Sequence, residues 1–155
     1  MKFDKLIRRF QAADRDLRLE TLLEASKKLP DLPPALAQGR DRESHRVTEC
    51  QTPVFLWIER EGDRIRFFAD VPRESPTVRG FVALLQSNLD GATPAELADI
   101  PLDLLHELRL DDALGMMRSQ GLAAIVSRVK RAGQALAAEA QSEPQPEAQS
   151  GPPGS

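Results

Sequence analysis

At 155 residues with 41% apolar content, the chain is long enough for one domain with a real core, and nothing in it argues for two. Its formal charge of -3 comes from 24 acidic and 21 basic residues interspersed along the chain, so no basic face marks it for nucleic acid. Charge interrupts every short apolar stretch of the N-terminal MKFDKLIRRF, no membrane span or signal-peptide core can be drawn, and the expected compartment is the cytoplasm.

Phe3, Leu6, Ile7 and Phe10 recur at helical spacing with Arg8 and Arg9 opposite them, which predicts an amphipathic first helix over residues 2–13. Leu19, Leu22, Leu23 and Leu29 give a second, expected to stop near Leu29 because Pro30, Pro33 and Pro34 cannot continue it. A polar loop from Ala37 to Glu49 should follow, exposed and mobile. The pattern then turns to strand. Val54 to Ile58 is a continuous β-prone run suited to a central strand, and Arg64 to Asp70 alternates Ile65, Phe67 and Ala69 against Arg64 and Arg66, with Glu61, Gly62 and Asp63 as the hairpin turn between them.

Ser75 and Pro76 form a helix start, after which Val78, Phe81, Val82, Leu85 and Leu89 trace one face as far as the stop at Gly91. Thr93 with Pro94 and then Pro101 begin two shorter helices, and Leu122, Ile125, Val126 and Val129 mark a last amphipathic one. Trp57 reads as core, and Met116 with Met117 as helix packing. From Ala138 no large apolar residue remains and Pro, Gly, Ser and Gln dominate, so residues 1–137 are expected to form the domain and residues 138–155 a disordered tail. The fold class is α+β, a small antiparallel β-sheet packed against several α-helices.

Cys50 is the only cysteine and His45 and His106 the only histidines, so neither an internal disulfide nor a common zinc pattern can be written. A lone cysteine is ordinarily a small core hydrophobe. Against that, Cys50 has polar neighbours in Glu49, Gln51 and Thr52, Pro53 delays the strand, and Arg40, Arg42, His45 and Arg46 precede it closely enough to favour a thiolate. Glu43 and Glu49 act in the opposite direction, so the residues alone define no net shift.

The segment RVTECQTPVFLW resembles the SufE pattern R-V-x-G-C-Q-S-x-V-W-L. KKLPDLPPAL, VRGFVALL, TPAEL and RSQGLAAIVSRVK resemble four further segments of that family in the same order, so the likeness covers Phe3 to Lys130. Three positions depart from it: Glu49 stands where the family has Gly, Thr52 where it has Ser, and Met116 with Met117 where Ser-Pro is common. The resemblance implies a SufE-like single domain that takes persulfide sulfur from a SufS-type cysteine desulfurase onto Cys50, stimulates that enzyme and passes the sulfur to an iron-sulfur scaffold complex. It implies no cofactor on this chain, pyridoxal phosphate belonging to the desulfurase. Arg118 is carried over as a group that orients the loop, or else caps the last helix, and Gln51 as polar support for Cys50, or else as a satisfier of backbone groups. The segment Arg40 to Thr52 would enter the desulfurase pocket.

Three other classes compete. A cysteine hydrolase needs a base, for which His45 and His106 are the only imidazoles. A metal or cluster site needs several thiolates, so none is expected. A non-catalytic, allosteric partner of a desulfurase would leave Cys50 incidental.

Overall fold

The protein's structure, a computed structural model, describes residues 3–142. Helix α1 (Asp4–Ala12) buries Leu6 and Phe10, and Asp14 caps α2 (Arg15–Ser26) by accepting from the Leu17 amide at 2.8 Å. α2 stops three residues short of Leu29 for a reason that lies elsewhere in the chain. The buried Arg79 guanidinium takes the carbonyls of Ser26, Leu29 and Val71, drawing the chain out of the helix. Leu29 is buried beyond the helix end, whereas Leu23, an expected core position, is 42% exposed.

The Pro-rich turn carries one turn of helix, α3 (Pro34–Ala37), and the stretch read as an open loop, Ala37 to Glu49, a 3-10 turn at Arg42–His45. Two strands follow, β1 (Phe55–Glu61) and β2 (Arg64–Asp70), antiparallel in register from Phe55 opposite Asp70 to Glu61 opposite Arg64. Gly62, at φ 66°, supplies the left-handed residue that the tight hairpin requires.

Among the described residues the sheet has only these two strands, with one isolated bridge from Arg46 to Phe55, so the Val54 to Ile58 run is not a central strand. Its continuous apolar character has another cause. The 3-10 turn roofs it, with the Arg42 guanidinium 4.0 Å from the Phe55 ring centre and the His45 ring stacked on Trp57 at 5.0 Å. β2 alternates as expected, with Ile65, Phe67 and Ala69 buried and Arg64 and Arg66 exposed.

Helix α4 (Pro76–Leu89) buries the predicted face, though Ser75 forms no side-chain cap. Its Gly80 permits a backbone-to-backbone approach: a methyl group built there would stand 2.0 Å from the Leu22 carbonyl oxygen of α2. Helix α5 (Pro94–Ala98) opens with a complete capping box between Thr93 and Glu96. Two short helices, α6 (Leu104–Glu107) and α7 (Leu110–Leu114), lead through Gly115, at φ 82°, into α8 (Met116–Ser142).

The architecture is α+β, with one apolar core shared by the hairpin, α1, α2, α4 and α8. α8 continues five residues into the stretch assigned to the tail. Ala138, Glu139, Ala140 and Gln141 are good helix formers, and extending an established helix costs far less than starting one. Residues 143–155 of that stretch lie outside the described residues.

Candidate thiol site

The loop that carries Cys50 is closed at its neck by the Val47 amide, which donates to the Val54 carbonyl at 2.9 Å between two fully buried valines. Within it the Cys50 amide donates to the Val47 carbonyl at 3.2 Å, forming a tight turn. The turn faces outward at Thr48, Glu49, Gln51 and Pro53, all exposed, and inward at Cys50, which is 6% exposed and part of the core cluster. A loop with a polar rim thus holds its one soft nucleophile turned away from water.

The inward side is completed by α8. A methyl group at Gly121 would stand 3.1 Å from the Cys50 sulfur and 3.5 Å from its Cα, so the missing side chain is the seat of the thiol. Sequence reasoning did not single out Gly121. The available signal was a glycine inside an apolar helix face, where alanine would be favoured by about 1 kcal/mol.

Burial pushes the Cys50 thiol above its ordinary pKa, against smaller opposing effects from the Thr52 backbone hydrogen bond and the Arg46 charge. Of the cationic cluster expected to favour a thiolate, only Arg46 acts on the sulfur. Arg42 is held by Asp70 at 2.6 Å, and His45 Nδ1 donates to the Leu56 carbonyl at 3.0 Å while Nε2 lies 3.3 Å from Asp41. Arg40 is exposed.

Gln51 is exposed on the loop rim and Arg118 is exposed in the first turn of α8, and neither side chain has a hydrogen bond or ion pair among the described residues. Arg118 therefore neither salt-bridges nor caps its helix here. Glu49 lies outside the left-handed region, where Arg109 is the only non-glycine among the described residues, so its place in the family's glycine position causes no backbone strain. Its carboxylate accepts from the Thr48 hydroxyl at 3.4 Å.

Met116 and Met117 do not pack. They are 77% and 66% exposed, because Gly115 turns the chain so that the first turn of α8 projects beyond the core and burial begins at Gly121. His106 pairs with Asp111 at 2.9 Å on the exposed surface, which raises the imidazole pKa and lowers that of the carboxylate. Among the described residues no three His, Cys, Asp or Glu side chains gather as a metal site, and no helix is long and apolar enough to cross a membrane.

Fold and site together define a small α+β protein built around one sequestered thiol on a loop. Residues 4–133 match the SufE family, described as an Fe-S metabolism associated domain, and the chain belongs to that family. It is 38% identical over 107 residues to the sulfur acceptor protein CsdE of Escherichia coli K12, a match covering 67% of this chain and 68% of CsdE. A SufE-like protein of Mycobacterium tuberculosis is 36% identical over 115 residues, 74% of this chain and 78% of the relative. The solution structure of a hypothetical protein from Thermus thermophilus superposes with a TM-score of 0.74 at 30% identity, covering 88% of this chain and 96% of that one.

Proposed function

We propose that this protein is a sulfur acceptor that receives persulfide sulfur on Cys50 from a pyridoxal phosphate-dependent, SufS-type cysteine desulfurase and delivers it to an iron-sulfur scaffold complex. The observation that carries the reading is the placement of the chain's only cysteine, seated on Gly121 by a loop that turns Thr48, Glu49, Gln51 and Pro53 to solvent. Membership of the SufE family and similarity to a sulfur acceptor protein support it.

The transfer is a thiol exchange. The Cys50 thiolate attacks the outer sulfur of the donor's persulfide, the new S–S bond forms on Cys50, the donor's own S–S bond breaks, and the donor cysteine leaves as thiolate. Burial keeps the resting group protonated and out of reach, so the loop must turn outward to react. Its return would then shield the persulfide from water and foreign thiols. A nearby second cysteine would collapse the persulfide into a disulfide, and the chain has none. Both functions suit a reducing cytoplasm.

The engagement of His45 with Leu56 and Asp41, and of His106 with Asp111, leaves the hydrolase reading without a base directed at the thiol. The allosteric reading predicts a different outcome for one substitution. After incubation with desulfurase and free cysteine, intact-mass spectrometry should find one added sulfur on the wild type and none on Cys50→Ser, which should also lose its stimulation of the desulfurase. Stimulation that persists in Cys50→Ser identifies an allosteric activator and overturns the acceptor reading.

A further inference from the structure

We propose that Arg128 is a positioning residue for Cys50, fixing the base of its loop against α8 and so setting how often the thiol leaves its seat. From α8, Arg128 Nη1 donates to the Arg46 carbonyl at 2.7 Å and Nη2 to the Ser44 carbonyl at 2.9 Å. These two acceptors bracket His45 at the end of the 3-10 turn, and Arg46 is the residue before the neck at Val47. Among the described residues, these are the only side-chain hydrogen bonds that α8 makes to residues 41–54.

Arg128 lies seven residues beyond Gly121, two turns along the same helix face. One helix therefore holds the loop at two places. Gly121 offers space to the sulfur, a contact without direction, whereas Arg128 fixes two carbonyls through a planar fork. The fork matters chemically, because two nitrogens held in one plane fix the orientation of both carbonyls, whereas an ammonium group, as on Lys130 bridging the Ala98 and Ile100 carbonyls, reaches them from a single rotatable nitrogen. With the base fixed, excursions are confined to Thr48 through Pro53, where, among the described residues, no side-chain hydrogen bond ties the loop to the body. Without it the base is held only from the hairpin side, by the Val47–Val54 hydrogen bond, the Arg46–Phe55 bridge and the His45 and Arg42 contacts, its tie to α8 is lost, and the buried thiol opens more often.

The relevance of this control to sulfur transfer rests on the acceptor reading, but its test does not. Alkylation of Cys50 by iodoacetamide, followed from neutral to alkaline pH without any sulfur donor, reads the opening directly. In Arg128→Lys and Arg128→Gln the rate at neutral pH should rise about tenfold, with the midpoint of the profile displaced toward lower pH as the thiol spends more time in water. Thermal melts of the same samples place the temperature of the assay. Faster alkylation well below the melting transition supports the proposal. Rates and profiles within about twofold of wild type, or faster alkylation that only tracks the unfolded fraction, overturn it. A wild-type protein that gains no sulfur from the desulfurase, or a Cys50→Ser protein that still stimulates it, would sink the acceptor reading and leave the alkylation result untouched.

Discussion

The α2–α4 contact and the Cys50 loop use the same two parts, a glycine for close approach and an arginine for backbone carbonyls, with opposite consequences. At α4, Gly80 faces the Leu22 backbone and Arg79, 7% exposed, holds three carbonyls. Both partners belong to rigid elements, so neither can yield. At α8, Gly121 faces the end of a thiol and Arg128, half-buried, holds two carbonyls of a surface segment. What stands opposite the glycine decides the role: helix backbone makes a fixed joint, and a loop side chain makes a contact that can open.

The comparison is tested most severely at Gly80. Alanine there must displace one helix from another, and Gly80→Ala should cost about 3 kcal/mol, seen as a fall of roughly 10 °C in melting temperature. A variant that melts with the wild type would show that the joint is not fixed. Arg79→Met comes next. Leaving buried carbonyls without a donor should cost about 2 kcal/mol in denaturant unfolding, with sulfur acceptance per folded molecule unchanged. A selective loss of acceptance would mean that the joint and the loop are coupled.

The sequence made the α4 face, the β2 alternation and the Thr93 start legible because each is a local signal, a period or a cap, within a few residues. It made Cys50 legible through its neighbours and its register with a family pattern. The end of α2 was not legible, since it depends on a guanidinium more than fifty residues away, at Arg79. Nor was the covering of β1: an apolar run reports burial, not whether strands or the Arg42 and His45 side chains do the covering. Gly121 and Arg128 were hidden for a related reason. Both stand in a helix whose local pattern is explained by core packing, and their roles exist only once that helix lies against the loop.

Gly121→Ala should have a small effect on stability, within about 1 kcal/mol of wild type, because the gain in helix propensity opposes the pressure on the sulfur. The loop can yield by the few tenths of an ångström required, which displaces the thiol outward and should speed its alkylation in the native state. A large loss of stability with unchanged alkylation would make Gly121 a joint like Gly80.

The smallest effect is the pH dependence carried by the thiol itself. Burial raises the folded pKa of Cys50, so the folded state keeps this proton to higher pH than the unfolded state does. Its contribution to stability is then fully present below the unfolded pKa of about 8.5 and is lost as pH rises from there through the folded value. The chain contains no tyrosine, so few other groups titrate in that window. Wild type should therefore lose stability more steeply than Cys50→Ser in denaturant melts carried from neutral pH to about pH 9.5. Gly121→Ala, with its thiol displaced toward water, should fall between them. Parallel curves for all three proteins would mean that the seat leaves the thiol in a water-like environment, and the contrast between a fixed joint and an opening contact would then rest on geometry alone.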